Sequence, residues 1–422
     1  MPDSSPPSTT EVTSPGKRRL QLPPALRYRS FRNYWLALLA SVTGYQMLVN
    51  FSLLWLIYDI THDARFEGYV GLSIAIPAIG LNLFGGVFAD RLDPRRLVGI
   101  AQFLTATVAV ILAVLVMTGM VNQWHVLAAA FLIGSTQAFD TPSRQSIWPR
   151  LVGREALPNA VALNSVIWTG TRIVAPTIAG IIIGRINIAA AVLVSATGFY
   201  ILSVVVQTLK LPPSDRIAGS VFQQMLAGFA FIKENPVFMY LIGMTFFNGM
   251  FGMSYIFLMP VFAKEVLDVG AEKTGWLLGA SGAGALTGTL IAANMGSRLC
   301  DAKALMGGSI LFALFLMAFG VVTHFGSYEL GLLVLFFAGC SNNIYLMSVM
   351  VNLQTRVPDR FRGRVMGFYS LTWSMTALGA FQASFFAHYV SPPAAVAIGG
   401  ALVIAFVLGP ALVNKEIRSL AP

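Results

Sequence analysis

Asp140 and Arg144 stand in the stretch AFDTPSRQS, beside a long run of residues without charge. Four positions separate them, so a helix places both on one face, although Pro142 between them bends that turn. An acid in apolar surroundings is costly unless it is paired or faces water. The spacing leaves two interpretations open. Asp140 either takes up and releases a coupling proton, or it is the fixed partner of Arg144 or of Arg172.

Arg172 lies in the segment TGTRIVAPTIAG, which is otherwise free of charge. An arginine side chain keeps its proton in proteins, so Arg172 cannot carry a proton. It therefore either binds an anionic group of a ligand or holds Asp140. The same segment contains Gly170, Pro176 and Gly180, residues that let helices bend and approach one another closely.

A second group of charges interrupts the apolar stretch LNLFGGVFADRLDPRRLVGI. Its members are Asp90, Arg91, Asp93, Arg95 and Arg96. A carboxylate at the C-terminal end of a helix, as Asp90 is expected to be, opposes the helix dipole and needs a compensating positive group. The group is either a latch between two parts of the protein or a solvated loop that sets membrane topology.

The residue types expected of an enzyme are missing from the sequence pattern. The histidines, His62, His125, His324 and His388, are far apart, and no His-Glu-x-x-His, Cys-x-x-Cys or Gly-rich phosphate loop occurs. Two cysteines do not make a disulfide framework. We therefore expect no catalytic residues, no metal site, no cofactor and no direct use of ATP.

The elements that position these residues are predicted to be membrane helices. The chain has 422 residues, 56% hydrophobic and 11% charged, whereas soluble domains have about 25% charged residues. Several runs without Asp, Glu, Lys or Arg suit the roughly 20 residues that cross a bilayer; they are 33–58, 68–89, 186–209, 235–263, 274–297, 304–328 and 330–355. Runs 97–139 and 365–414 each divide into two helices at a turn, and 158–184 adds one more. The runs together predict twelve transmembrane segments. We expect these segments to be helices, because open sheets leave backbone groups unsatisfied in lipid.

The basic residues predict the orientation of these helices. Of 28 Lys and Arg residues, those in loops on one side of the membrane are Arg65, Arg185, Lys264 and Lys273. Nearly all the others lie on the opposite side, so the positive-inside rule places both termini in the cytoplasm and the protein in the cell membrane. The net charge of +10 is scattered through short loops, which argues against a nucleic-acid partner.

Two similar basic stretches indicate an internal repeat. PRLVGREALPNAVALNS (149–165) and TRVPDRFRGRVMGFYS (355–370) each lead from a loop into a helix at equivalent places in the two halves. The sequence thus predicts two bundles of six helices, 28–209 and 236–414. A cytoplasmic linker, 210–235, contains an amphipathic surface helix. A disordered cytoplasmic tail covers 1–27, and a second cytoplasmic tail covers 415–422.

With these features in place, the chain resembles the major facilitator superfamily. The residues that match the superfamily loop between helices 2 and 3 are Gly86, Asp90, Arg91, Arg95 and Arg96. Asp93 replaces the usual Gly and Pro94 the usual Arg. Asp93, and the stretches that begin at Tyr28, Ala138 and Val357, are similar to the enterobactin-exporter and macrolide-efflux-like branch. The resemblance implies that the loop latches onto the start of helix 11.

The resemblance also implies where a substrate binds. VAPTIAG resembles the Gly-Pro-x-x-Gly-Gly element of exporters, with Ala175 and Ala179 in place of two glycines. Helices 1, 4, 7 and 10, joined by 5 and 11, line the central cavity of this fold. The polar and aromatic candidates there are Gln46, Asn50, Gln137, Asn164, Trp168, Asn248, Tyr255, Asn342, Asn343, Tyr345 and Trp373. They suit an amphipathic ligand, or each joins neighbouring helices by hydrogen bonds.

Together these features predict an alternating-access secondary transporter. We expect it to work as a monomer in the lipid bilayer and to export small amphipathic molecules, drug- or siderophore-like, in exchange for protons. An uptake permease of the same fold is the first alternative. A non-transporting membrane receptor or scaffold is the second.

Overall fold

The structure of the protein, a computed structural model, describes residues 23–211 and 229–414. At 82–91, 297, 359, 360, 362, 363 and 413 it describes the backbone alone. The described residues form helices and no strands, which confirms the predicted all-helical architecture. Both predicted tails, apart from 23–27, and most of the linker with its amphipathic helix lie outside the described residues.

Twelve long helical segments follow one another along the described chain. They are α1 (Arg29–Thr61), α2 (Arg65–Arg91), α3 (Pro94–Met117), α4 (Gln123–Ile147), α5 (Leu157–Arg185), α6 (Ile188–Gln207), α7 (Pro236–Val266), α8 (Ala271–Met295), α9 (Ala302–His324), α10 (Tyr328–Arg356), α11 (Asp359–Thr372 and Met375–Tyr389) and α12 (Pro392–Val413). Among these described segments, nine are long and apolar enough to cross a membrane. The count of twelve crossings stays a prediction.

Short polar turns separate these helices. The side chains of Asp93, Asn122, Asn187 and Ser391 accept a backbone N–H at the N-terminus of α3, α4, α6 and α12, respectively, and so satisfy groups that a helix start leaves free. The two runs predicted to hold a pair of helices divide at Asn122 and Ser391.

The first helix of each half contains π-helical turns. In α1 the π segment is Leu48–Ser52, and in α7 there are two, Asn248–Gly252 and Phe262–Val266. A π turn accommodates an extra residue inside a helix and often marks a functional site. Asn50 and Asn248, both predicted cavity residues, lie in these segments.

The helices pack as two groups that touch each other at a few places. Helices α1–α6 contact one another chiefly through α3 with α6 and α2 with α4, and α7–α12 through α10 with both α8 and α9. The main contacts between the groups join α5 to α8 and α2 to the second half of α11.

Exposure changes along α5 and distinguishes the two ends of the molecule. Ala175 and Ala179 are fully buried, whereas Val166 is 58% and Trp168 39% exposed. The second half of α5 packs on α8, while its first half is largely uncovered. We call the end where α1 ends and α2 begins the closed end, and the opposite end, where α5 begins, the open end.

Candidate functional site

The acid and base of α4 form a buried ion pair. Arg144 Nε lies 2.7 Å from a carboxylate oxygen of Asp140, and the two residues are 8% and 1% exposed. The helix continues through Pro142, so both side chains stay on one face. The contact is ionic rather than a well-aligned hydrogen bond. Proton uptake by Asp140 would strand the Arg144 charge, which is costly in a buried site.

Polar groups of α1, α3 and α5 surround this pair. Gln102 faces Asp140, and its amide oxygen accepts a 2.8 Å hydrogen bond from Ser41 Oγ. The Arg144 guanidinium lies 5.9 Å from the centre of the Trp168 ring, within cation–π range. Trp168, itself 39% exposed, therefore contacts the base of the pair. Gln102 and Ser41 were missed by the sequence analysis because neutral polar residues are common in membrane helices.

Arg172 lies apart from this pair, on the side of α5 that meets the other half. It is partly buried and near Tyr255 of α7. Tyr255 Oη shares a 2.7 Å hydrogen bond with Ser281 Oγ of α8. Among the described residues, the structure gives Arg172 no acidic partner.

The predicted amides of the second half bond chiefly to one another and to neighbouring helices. Asn248 Nδ2 donates to Asn342 Oδ1 at 3.0 Å, Asn342 Nδ2 contacts Met253 Sδ at 3.3 Å, and Asn343 donates to Thr289. Asn248 also lines a small pocket together with Trp373. These amides join α7, α8 and α10 whether or not they also touch a ligand.

The other predicted cavity residues occupy varied environments. Asn50 donates to Gln46 one turn earlier in α1, and Gln137 accepts a long 3.4 Å bond from Thr141. Asn164 is half-buried and the hydroxyl of Tyr345 is buried without a partner. Trp373 is 45% exposed in the break of α11. It corresponds in place to Trp168, since each lies in the fifth helix of its half.

At the closed end, α5 and α8 meet along glycines. A Cβ atom added to Gly180 would lie 2.5 Å from the carbonyl oxygen of Ala271 and 3.0 Å from Gly275 Cα. Thr177 Oγ1 donates to the Gly275 carbonyl at 3.2 Å. Gly170, predicted to share this packing role, has no atom within 4 Å of such a Cβ.

A second close contact joins α2 to α11 at the same end. A Cβ on Gly71 would lie 2.3 Å from the carbonyl oxygen of Ala377, and one on Gly68 would lie 3.0 Å from Phe381 Cα. The Tyr69 ring packs on Phe381 and Phe385. Backbone-to-backbone approach of this kind needs small residues.

Charged residues also connect the halves at the closed end. Arg185 Nη2 lies 3.0 Å from Glu272, and Lys264 pairs with Asp59. Tyr58 donates to Glu265, while His388 Nδ1 lies 3.3 Å from Asp63. Burial raises the pKa of Asp63, but hydrogen bonds from Arg65 outweigh it and hold that pKa below its usual value.

The charged loop at the open end is only partly described. Arg95 binds Asp93 at 2.6 Å, and its Nη1 donates to the Leu209 carbonyl at 2.7 Å, so it joins α3 to the end of α6. The hydrogen bonds that Arg95 donates to the Asp93 carboxylate lower the pKa of Asp93. Arg96 is exposed. At Gly86, Asp90 and Arg91 the structure describes the backbone alone, so the side-chain contacts of the predicted latch lie outside what it describes.

Comparisons with known proteins agree with this architecture. A sequence model described as transmembrane secretion effector matches residues 22–418. The staphyloferrin A transporter of Staphylococcus aureus is 25% identical over 378 residues, covering 86% of this chain and 91% of its own length. The enterobactin exporter EntS of Escherichia coli is 25% identical over 315 residues, covering 71% and 72%.

Solved structures share the fold. A bacterial homolog of the human lysosomal transporter Spinster, inward-facing, aligns with a TM-score of 0.70 and 15% identity, covering 93% of this chain and 97% of that one. A bacterial homologue of the iron transporter ferroportin, also inward-facing, gives 0.67 and 17% identity, covering 93% and 99%. At these identities the likeness concerns the fold alone.

Proposed function

Because the chain belongs to the transmembrane secretion effector family of the major facilitator superfamily, we propose that this membrane transporter exports small amphipathic molecules by alternating access. The observation that carries the proposal is the uneven contact between its halves. They meet at the closed end along glycines and ion pairs, while the first half of α5 is largely uncovered at the open end. Two six-helix bundles, 28–209 and 236–414, would then rock about the site between them.

The positive-inside rule supports a cytoplasmic open end. Arg29 and Arg32 at the start of α1, and Arg95 and Arg96 at the start of α3, belong to that end. A substrate would therefore load from the cytoplasm. The name of one relative, the enterobactin exporter, favours outward movement. Together with that of the staphyloferrin A transporter, it favours a drug- or siderophore-like substrate. The protein would work as a monomer, with Asp90 and its neighbours latching the open end when it closes.

We infer that the substrate carries an acidic group as well as apolar surface. Arg172 supplies a positive charge near Tyr255 with no acidic partner among the described residues. Trp168 and Trp373 offer exposed aromatic faces, one from each half. The amides around Asn248 already form hydrogen bonds with one another. They therefore hold neighbouring helices together in addition to any contact with the ligand.

A proton gradient is the proposed source of energy. One pH unit and about 100 mV supply about 3.7 kcal/mol per proton, enough for a roughly 500-fold gradient of a neutral solute. Asp140 is one candidate carrier, but its ion pair with Arg144 favours a structural role unless Arg144 finds another partner during the cycle.

Transport by inside-out membrane vesicles tests the proposal. The probes are a fluorescent amphipathic acid and its neutral methyl ester. An energised exporter accumulates the acid in the vesicles, and an uncoupler abolishes the accumulation. Arg172→Gln should weaken transport of the acid more than that of the ester, whereas Arg154→Gln, a change at an exposed arginine, should affect neither.

The same vesicles separate the alternatives. Accumulation only in right-side-out vesicles would identify an uptake permease. Saturable binding without flux in either orientation would identify a receptor. Equal effects of Arg172→Gln on acid and ester would refute the acidic-substrate inference while leaving export intact.

A further inference from the structure

Glu67 is a fully buried acid at the closed end, and the export proposal makes no use of it. Its side chain is 0% exposed, and neither Oε1 nor Oε2 has a hydrogen-bond partner. It lies in the first turn of α2, next to Gly68, where α2 meets α11. A helix N-terminus favours an anion, but no backbone N–H bonds to this carboxylate.

The groups that face Glu67 do not neutralise it. The nearest are Tyr58 of α1 and Glu265 of α7. The other charged or titratable groups in the ion pairs around them are Asp59, Asp63, Arg65, Lys264 and His388. Glu265 lies close enough to repel a charge on Glu67, and it accepts the hydroxyl proton of Tyr58 in a hydrogen bond.

Two cations of this end, Arg65 and Lys264, already have carboxylate partners. Arg65 Nη2 lies 2.7 Å from Asp63, which His388 also approaches, and Lys264 pairs with Asp59. An ionised Glu67 would therefore be an uncompensated charge in an apolar interface, beside a second acid. Such a charge is strongly disfavoured, and the group takes up a proton instead.

We propose that Glu67 is a proton-binding site of the closed end, protonated while the two halves are in contact there and deprotonated when they separate. Separation admits water to the carboxyl group. Its O–H bond then breaks, the proton passes to water, and the hydrated carboxylate must regain a proton before the halves can close. The inference rests on the alternating access of the proposed function, and it places a titrating acid at the opposite end from the Asp90 loop.

Glu265 sets how firmly the proton is held. Its negative charge, stabilised by the Tyr58 hydroxyl, opposes ionisation of Glu67. Removal of that charge makes ionisation easier, so the closed end should open at lower pH. This dependence on a residue from the other half would not arise if Glu67 only filled space.

Distances between spin labels at the closed end test the proposal on the full chain in lipid nanodiscs. Cys300 and Cys340 are first changed to Ser, and labels are placed at Ile186 and Phe325. These positions are 68% and 79% exposed, and one belongs to each half. In the parent, the fraction with the short, closed-end distance should fall as pH rises. Glu67→Gln, which mimics the protonated acid, should stay closed throughout.

Two further variants make the outcome decisive. Glu329→Gln, a change at an exposed acid in the first turn of α10, should follow the parent. Glu265→Gln should move the transition to lower pH, and it carries the test if Glu67→Gln does not fold. The proposal would be overturned if the distance distribution of the parent did not change with pH. It would also be overturned if the distribution of the Glu67→Gln protein changed with pH as the parent's does. Failed vesicle export with pH-dependent opening intact would instead count against the proposed function.

Discussion

Gly180→Ala should weaken the closed end without harming either helix bundle. The new methyl group would lie 2.5 Å from the Ala271 carbonyl oxygen and 3.0 Å from Gly275 Cα. Both neighbours are backbone atoms of α8, so no rotamer change relieves the clash. The backbones of α5 and α8 must move apart by about 1 Å, and overpacking of this size costs about 1–3 kcal/mol.

The cost falls on one conformation only. When the closed end opens, α5 and α8 separate and the methyl group is free. The better helix propensity of Ala, worth about 1 kcal/mol over Gly, is gained in both conformations and cancels from their equilibrium. The ratio of open to closed forms at this end should therefore rise roughly 5- to 150-fold.

The label pair at Ile186 and Phe325 measures that ratio directly. Gly170→Ala is the matched control, because it lies on the same helix and its added Cβ meets no atom within 4 Å. It should leave the distance distribution unchanged. If both variants shift the distribution equally, or neither does, the glycine contact with α8 does not hold the closed end.

Further changes test the charged residues. Asp140→Asn leaves the buried Arg144 charge without a partner and should lower the free energy of unfolding by about 3–5 kcal/mol, measured by thermal denaturation. A second change, Arg144→Gln, should restore most of that loss. A stable Asp140→Asn protein that still transports against a gradient would exclude coupling through Asp140. Arg172→Gln should reduce affinity for an amphipathic acid by about tenfold or more in a binding titration, with no change for its methyl ester. Asp93→Asn should cost less than about 1 kcal/mol near neutral pH, as expected of an ion pair that is still partly exposed to solvent. Because Arg95 lowers the pKa of Asp93, that stabilisation is present above the usual Asp pKa and disappears as pH falls through the lowered value, so melting curves of variant and parent should converge in acid.

Charge patterning carried most of the fold prediction. Runs without charge predicted the positions of the helices because lipid excludes ions and unsatisfied backbone. The divisions at Asn122 and Ser391 could be predicted because polar residues and prolines mark turns. The spacing of Asp140 and Arg144 likewise placed them within reach of each other, since helical periodicity is local.

The burial of Glu67 could not be predicted from the sequence. Its charge stands immediately before the uncharged run 68–89, so it resembled a loop residue at the start of helix 2. Its burial depends on α7 and α11 of the other half, and no local pattern encodes that contact. The sequence also could not show that Arg172 has no acidic partner in the described chain. Either Arg144 or Arg172 could have paired with Asp140, and the spacing of these residues did not distinguish the two possibilities.

The π segments of α1 and α7 give these helices a way to turn without tilting. A π turn holds one residue more than an α turn. Its conversion to α geometry would rotate the following part of the helix by about 100° around its own axis, the angle of one residue. Asn50 and Asn248 lie within such segments. A rotation of this kind would exchange the faces that the second parts of α1 and α7 present to the space between the halves, without a change in the tilt of either helix.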